Sequence, residues 1–204
     1  MRIGIDFDNT IAGYDHLFRA LAAEKNWVAS GDTGNKNAVR ALVRALENGE
    51  RKWQELQAEA YGTRMSEAEL IEGVDHFLSK CREREIPVFI ISHRTQYAAR
   101  DKSGVDLREA ARAWMAAKGF FDPERFAVSS KSVYFESTRG EKIARIAALG
   151  CSHFIDDLTE VLLEESFPPG VRRCLLAADG DTRPDGRVEA FRNWWEIANV
   201  LIGP

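Results

Sequence analysis

Short apolar runs that end in polar residues recur along the chain, and stretches with helical periodicity separate several of them. A strand of a parallel sheet is buried on both faces, so it reads as a short, continuous apolar run. Strands that alternate with helices indicate a parallel sheet covered by helices on both faces. We therefore predict an α/β fold with a doubly wound parallel sheet, built from the runs 2–7, 86–91, 133–135, 153–155 and 173–178.

The helical stretches divide between this core and one long insertion. The predicted core helices are residues 106–118, 140–149 and 187–201. Residues 15–73 are too many for an ordinary connection between strands. Their apolar spacing is helical, and Ser66–Glu69 has the capping-box pattern that opens a helix. We expect a Rossmann-like core of residues 1–14 and 74–204 and a small α-helical cap domain of residues 15–73.

Composition limits the classes of function. The 204 residues carry a formal net charge of −4, whereas nucleic-acid-binding domains usually present a basic face. No apolar run approaches the ~18 residues that span a bilayer, and Met1–Thr10 lacks the pattern of a secretory signal. We expect a cytoplasmic protein with no nucleic-acid polymer and no membrane as partner, and the sequence leaves its oligomeric state open. The three cysteines form no C-x-x-C pair, so we expect free thiols.

The segment Asp6-Phe7-Asp8-Asn9-Thr10 follows the first predicted strand. Two nearby carboxylates can form the oxygen-rich site that Mg²⁺ prefers. One of them can also attack phosphorus and form an acyl phosphate. The same residues would equally suit a solvated strand end, or a helix cap at Asp8 or Thr10. The pentapeptide alone does not decide between these interpretations.

Polar residues at other predicted strand ends favour the functional interpretation. Ser92 follows the second strand, where its hydroxyl could hold a phosphate oxygen. Lys142 lies in the first turn of the helix before the fourth strand and could neutralise a phosphate and a nucleophile together. Asp156 and Asp157 end that fourth strand. The carboxyl ends of parallel strands meet in one crevice. Lys131 is a rival to Lys142, but it precedes its strand and is expected at the opposite edge.

These four segments, in this order, resemble the four motifs of the haloacid dehalogenase-like superfamily. The matching segments are RIGIDFDNTI, VFIIS with Ser92, TRGEKIARI with Lys142, and HFIDDL with Asp156 and Asp157. The resemblance covers about residues 1–15 and 74–180, and the insertion lies where that superfamily carries a cap. It implies a hydrolase that acts on phosphomonoesters, with Mg²⁺ as cofactor and an aspartyl-phosphate intermediate.

The resemblance also implies a role for each matching residue. Asp6 would attack phosphorus, Asp8 would protonate the leaving oxygen and then activate water, and Lys142 would orient Asp6. The implied metal ligands are Asp6, Asp8, Asp156 and Asp157, and the resemblance does not decide which of the last two touches the ion directly. The expected phosphate-binding residues are Thr10, Ser92, His93 and Lys142. Weaker candidates for substrate contacts are Arg94, Tyr14 and Arg139, for which surface or packing roles are the alternative.

The reaction and the substrate stay open within this resemblance. An aspartate at position 8 favours phosphate-ester hydrolysis over cleavage of carbon–halogen or carbon–phosphorus bonds. A cap favours a small phosphorylated substrate, such as a sugar phosphate or related metabolite. A 5′-(deoxy)nucleotidase is the first alternative. A phosphomutase would use the same pair of aspartates, and a catalytically silent binding module would keep the fold without the reaction.

Overall fold

The computed structural model describes residues 1–29, 31, 34–99, 103–126, 128–177 and 186–203. The chain divides into two compact units. The first, here called the sheet unit, comprises Met1–Ala12, Leu70–Arg94 and Met115–Pro204. The second, the helical unit, comprises Gly13–Glu69 and Thr95–Trp114.

Eight strands are described. They are β1 Ile3–Ile5, β2 Ala12–Gly13, β3 Glu69–Leu70, β4 Val88–His93, β5 Val133–Glu136, β6 His153–Asp156, β7 Arg172–Leu176 and β8 Glu189–Phe191. Six of them form one sheet in the order β5-β4-β1-β6-β7-β8, and every neighbouring pair in it is parallel. The predicted fold class is therefore confirmed. The predicted polar end of the fifth run, after Ala177, lies outside the described residues.

Strand β8 corrects the prediction of one helix over 187–201. The apolar residues Val188 and Phe191 have helical spacing, but their segment pairs with β7 as an edge strand, with Leu176 opposite Phe191. The helix begins only at Trp194, because the side chain of Asn193 accepts a hydrogen bond from the backbone N–H of Glu196. The local spacing therefore gave the wrong structure for the first residues of the segment.

Eight α-helices are described alongside the strands. They are α1 Asp15–Glu24, α2 Lys36–Arg44, α3 Gly49–Ala58, α4 Val74–Glu83, α5 Leu107–Ala117, α6 Arg139–Ala148, α7 Thr159–Leu162 and α8 Trp194–Leu201. A π-helix, Glu59–Thr63, and a 3-10 turn, Met65–Glu67, follow α3. No helix in the described ranges is both long enough and apolar enough to cross a bilayer.

The central strand β1 is packed closely on its neighbours in the sheet unit. Ile3 and Ile5 are fully buried, and β1 pairs with β4 on one side and β6 on the other. Gly4 lies between them, where a Cβ atom would come within 2.6 Å of the Phe154 ring. A glycine is needed at this position because any larger residue would displace that ring.

Aromatic side chains form the core of the helical unit. The Phe18 and Trp53 rings stack with their centroids 4.8 Å apart, and Tyr14 meets Tyr61 edge to face at 4.9 Å. Such ring pairs add stability beyond their buried area. Tyr14 is buried in this core, and its hydroxyl lies 3.4 Å from the Met65 sulfur.

The helical unit differs from the predicted cap in two respects. It includes Thr95–Trp114, where the Trp114 indole donates a hydrogen bond to the Ala68 carbonyl at 2.9 Å. In addition, the capping-box pattern at Ser66–Glu69 opens no helix. The Glu69 carboxylate, which would close the box, lies 3.3 Å from the His16 ring nitrogen Nδ1, and Glu69 itself begins β3.

The cysteines have the state that the sequence predicts. Cys81, Cys151 and Cys174 are all free and buried. Burial raises the pKa of each thiol, to about 12 for Cys81 and Cys174 and to about 11 for Cys151. Each thiol therefore stays protonated at neutral pH, which makes it a poor nucleophile.

Candidate active site

Asp6 stands at the carboxyl end of the central strand. Its backbone N–H donates to the Ile155 carbonyl at 2.9 Å, which continues the pairing of β1 with β6. Its buried carboxylate accepts a hydrogen bond from the Lys142 ammonium at 2.6 Å. The same ammonium donates to the Asp156 carboxylate, also at 2.6 Å. One buried lysine therefore bridges carboxylates at the ends of two neighbouring strands.

The start of α6 fixes the position of this lysine. The Thr138 side chain accepts from the Glu141 N–H at 3.1 Å, and the Glu141 carboxylate accepts from the Thr138 N–H at 2.9 Å. This reciprocal capping box satisfies N–H groups that the first helical turn cannot pair internally. Lys142 follows directly, within the first turn of α6. Its ammonium lies 5.3 Å from the centre of the Phe154 ring, on β6.

A tight turn separates the two aspartates of the first motif. The Phe7 carbonyl accepts from the N–H groups of Ile11 and Ala12 at 2.9 and 3.0 Å. Asn9 takes the left-handed backbone conformation at φ 58°, which asparagine tolerates better than most residues. The turn allows Asp8 to make contacts different from those of Asp6.

Asp8 is held by a buried arginine. The Arg94 guanidinium donates from one nitrogen to both carboxylate oxygens of Asp8, at 2.7 and 2.9 Å. Arg94 follows β4, and its backbone N–H donates to the Glu136 carbonyl of β5 at 2.9 Å. Its guanidinium carbon also lies 5.6 Å from the centre of the Phe7 ring. Arg94 is buried while Asp8 is partly exposed, so the pair leaves the carboxylate within reach of solvent.

Three carboxylates are grouped tightly enough to hold a metal ion. Asp6, Asp156 and Asp157 each offer an oxygen, and these oxygens lie within 4.8 Å of one another. Oxygens that coordinate one Mg²⁺ at 2.0–2.1 Å lie at most about 4.2 Å apart, so a small inward movement would suffice. Carboxylates are also the hard ligands that Mg²⁺ prefers. The residues fit the cofactor that the sequence implies.

The electrostatics of the cluster point to the same conclusion. Burial, aided by repulsion from the aspartates at positions 8, 156 and 157, raises the pKa of Asp6 to about 8 even though Lys142 opposes the shift. Burial alone would lower the pKa of Lys142, but the charges of Asp6 and Asp156 outweigh it and the pKa rises. The cluster thus holds more negative charge than one ammonium neutralises, and a divalent cation would relieve the excess.

Thr10 is turned towards the carboxylate cluster. Its buried hydroxyl donates to the Asp157 carboxylate at 3.1 Å. Its carbonyl accepts a hydrogen bond from the indole N–H of Trp194 at 2.9 Å. The phosphate contact predicted for Thr10 stays a prediction, and in the structure its hydroxyl supports an aspartate of the cluster.

The polar residues that end β4 have different surroundings. Ser92 is buried and lies opposite Phe135 in the sheet, one strand away from Asp6. His93 is exposed, and its ring nitrogen Nε2 lies 2.8 Å from the Ser137 carbonyl. The phosphate contacts predicted for both residues therefore remain predictions.

The remaining candidates make other contacts or belong to the other unit. Arg139 is exposed at the start of α6 and pairs with Glu164 at 3.4 Å. Tyr14 belongs to the aromatic core of the helical unit. Lys131 lies exposed just before β5, at the amino end of the strand, which is the edge that its position in the sequence predicts.

Two contacts of the site had no signal in the sequence. The pairing of Arg94 with Asp8 joins residues 86 positions apart, and that of Trp194 with Thr10 joins residues 184 positions apart. From the sequence, Arg94 is a candidate only for substrate contact. The periodicity of a segment indicates burial but does not identify a hydrogen-bond partner.

Comparisons with known proteins relate the chain to others by structure alone. No protein-family model and no curated protein sequence matches it. A haloacid dehalogenase-superfamily hydrolase from Ehrlichia chaffeensis matches with a TM-score of 0.57 and 14% identity, over 98% of this chain and 94% of that one. A haloacid dehalogenase hydrolase of family IA, variant 3, from Entamoeba histolytica gives 0.53 and 12%, over 99% and 97%.

A third solved structure carries a ligand. CbbY from Rhodobacter sphaeroides in complex with phosphate matches with a TM-score of 0.52 and 15% identity, over 96% of this chain and 95% of that chain. A variant of CbbY has also been solved in complex with xylulose-(1,5)bisphosphate. At such identities the likeness is one of fold, and the resemblance to the haloacid dehalogenase-like superfamily is confirmed at that level.

Proposed function

We propose that this chain is a magnesium-dependent phosphatase that hydrolyses a small phosphomonoester through an aspartyl phosphate on Asp6. One observation carries the proposal: the buried Lys142 ammonium bridges Asp6 and Asp156 at 2.6 Å each, beside a third carboxylate. A buried cluster with excess negative charge adds little to the stability of the fold, because the cost of desolvating the charges offsets their attraction. Perturbed carboxylates at a sheet edge are typical of functional sites.

The reaction has two halves. In the first, a carboxylate oxygen of Asp6 attacks phosphorus, and the bond from phosphorus to the ester oxygen breaks as Asp8 gives that oxygen a proton. In the second, Asp8 takes a proton from water, whose oxygen attacks the same phosphorus. Inorganic phosphate leaves, and Asp6 returns to a free carboxylate. Asp8 thus acts first as a general acid and then as a general base.

The other residues hold and neutralise the reacting groups. Lys142 orients the Asp6 carboxylate and offsets its repulsion from an anionic substrate. Ser92 and His93 at the end of β4 would hold phosphoryl oxygens, and Arg94 restrains Asp8. Mg²⁺, held by the carboxylates of Asp6, Asp156 and Asp157 and by the Asp8 carbonyl, would supply further positive charge against the phosphoryl group.

For the substrate, we propose a phosphorylated sugar or related metabolite. The complexes of CbbY with phosphate and with a sugar bisphosphate support this class, although that likeness is one of fold. We also propose that the helical unit is the cap and supplies the selectivity. The alternatives are a 5′-(deoxy)nucleotidase, a phosphomutase and a silent binding module. The experiment below separates them.

The test is phosphate release from a panel of sugar phosphates, nucleoside monophosphates and other small phosphomonoesters, each with Mg²⁺ and with chelator. We expect release that requires Mg²⁺ and is concentrated in the sugar phosphates. Concentration in the nucleotides would identify a nucleotidase. Phosphoryl movement within one substrate, with little free phosphate, would identify a mutase. Absence of turnover on every member, and of any such movement, would contradict the enzyme assignment.

A matched pair of variants tests the nucleophile. Asp6→Asn removes the attacking oxygen at almost constant volume, and we expect activity to fall by at least about a thousandfold. Asp75→Asn makes the same chemical change at an exposed residue on α4 and should leave activity near the wild-type value. Mass spectrometry of the wild type, quenched during turnover, should find the phosphoryl group on Asp6. Substantial activity in Asp6→Asn would contradict the covalent mechanism.

A further inference from the structure

We propose that Trp194 is a positioning residue for the candidate metal site, acting through Thr10 on the Asp157 carboxylate. The inference deepens the proposed function and rests on it, because Asp157 is one of the implied ligands of Mg²⁺. All three residues belong to the sheet unit.

The first link joins the last helix to the turn after β1. The Trp194 indole N–H donates to the Thr10 carbonyl at 2.9 Å, and both residues are fully buried. Within the turn, the carbonyls of Phe7 and Ala12 accept its internal hydrogen bonds. A buried carbonyl needs a partner, and here the indole supplies it. The contact fixes the peptide that carries the Thr10 side chain.

The second link joins that peptide to the carboxylate cluster. The Thr10 hydroxyl donates to the Asp157 carboxylate at 3.1 Å, and Asp157 offers an oxygen within 4.8 Å of oxygens from Asp6 and Asp156. The hydroxyl has a single hydrogen to donate, and it is directed at this carboxylate. The bond therefore restricts how the Asp157 carboxylate rotates. Hydrogen bonds behind a metal ligand orient it, and their loss lowers metal affinity.

The anchor itself is held firmly. Trp194 begins α8, where the Asn193 side chain caps the helix. Its ring packs against Phe77 of α4, with the ring centroids 4.8 Å apart. The next residue, Trp195, is 47% exposed and lies against His76 instead. Adjacent tryptophans on one helix thus provide a test residue and a matched control.

The experiment titrates MgCl₂ into the full chain by calorimetry, with no substrate present. Trp194→Phe keeps an aromatic ring but removes the donor, and Thr10→Val removes the hydroxyl at nearly constant volume. We expect each to weaken Mg²⁺ binding by about tenfold. Thr10→Ser, which keeps the hydroxyl, and Trp195→Phe should stay within about twofold of the wild type. The double variant Thr10→Val/Trp194→Phe should have the same Mg²⁺ affinity as the single variant that binds less tightly, because both changes break the same chain of contacts.

Each outcome decides the inference. A folded Trp194→Phe protein that binds Mg²⁺ like the wild type overturns it. If Trp194→Phe does not fold, unchanged affinity in Thr10→Val overturns it, and weakened affinity rescued in Thr10→Ser supports it. A wild type that binds no Mg²⁺ also overturns it. Because the readout needs no turnover, Mg²⁺ binding with the expected variant pattern but no phosphatase activity would reject the proposed reaction and keep this inference.

Discussion

Two clusters in the molecule share a composition, one cation between two carboxylates, but have opposite surroundings. In the sheet unit, the side chains of Lys142, Asp6 and Asp156 are 2%, 7% and 0% exposed. In the helical unit, Arg64 joins Glu24 and Glu67, and those side chains are 31%, 54% and 46% exposed. The charged groups are therefore exposed to water in the helical unit and almost completely shielded from it in the sheet unit.

The surroundings reverse the effect on the carboxylates. Burial raises the pKa of Asp6 in spite of Lys142. Hydrogen bonds from Arg64 lower the pKa of both Glu24 and Glu67. Exposed ion pairs add little stability, and buried ones are weak evidence for it. The exposed cluster is thus a pair of solvated ion pairs, whereas the buried cluster holds a carboxylate with a raised pKa, which is the arrangement on which the proposed function rests.

The largest expected effect comes from removing the buried cation. In Lys142→Met two buried carboxylates lose their shared partner, so phosphatase activity should fall by at least about a thousandfold. The metal-free protein should lose about 3 kcal/mol of unfolding free energy, measured by urea titration. Arg64→Met is the matched control and should keep activity near the wild-type value. Comparable activity losses in both variants would break the distinction between the clusters.

A smaller effect is expected at the second buried ion pair, between Arg94 and Asp8. Arg94→Met frees the Asp8 carboxylate to adopt other orientations, and kcat should fall by about a hundredfold. Because the proposed mechanism has Asp8 protonate the leaving oxygen, the loss should be greater for an alkyl phosphate than for nitrophenyl phosphate, whose leaving group needs less help. Arg172→Met, at an exposed pair with Glu189, is the control. Equal losses on both substrates would assign Arg94 another role.

The pH dependence of stability provides a third test, in the presence of chelator. Asp6 has a folded pKa of about 8, above its ordinary value of 3.8, so the folded state binds the extra proton between these limits. The resulting stability is complete below the ordinary value and is lost as pH rises to about 8. Relative to Asp6→Asn, the wild type should lose more than about 1 kcal/mol of unfolding free energy between pH 5 and pH 8. A difference that is constant across this range would contradict the assigned cause.

The sequence predicted the parts of the molecule that depend on local pattern and on a general rule of topology. Asp6, Lys142 and Asp156 were expected together because the carboxyl ends of parallel strands meet at one edge. Their 2.6 Å contacts agree with that expectation. The edge strand β8 was missed because Val188 and Phe191 fit helical spacing, and only pairing with β7 decides their conformation.

Side-chain partners were the part that local pattern could not give. The hydrogen bonds from Arg94 to Asp8 and from the Trp194 indole to the Thr10 carbonyl join residues that are far apart in sequence and meet only through packing. The capping-box pattern at Ser66–Glu69 failed for a related reason. The carboxylate that would close the box, on Glu69, lies beside the His16 ring instead, and Glu69 belongs to β3. The folded structure decides which partner a polar side chain has, and the spacing of residues does not predict that choice.

The smallest expected effect lies in the exposed cluster, and its sign is opposite to that of Asp6. The folded pKa values of Glu24 and Glu67 are lowered from 4.5, so their contribution to stability is present above that value and is lost as pH falls below it. The difference in thermal midpoint between wild type and Arg64→Met should therefore shrink from pH 7 to pH 3. It should also shrink with added salt at pH 7, since exposed charges are screened. For the buried cluster the stability of the wild type relative to Asp6→Asn should instead fall as pH rises from 5 to 8. Opposite pH trends at the two clusters would establish that burial, and not composition, separates them. A difference between wild type and Arg64→Met that stays constant on acidification would contradict this, because it would show that Arg64 acts through packing of its side chain and not through its charge.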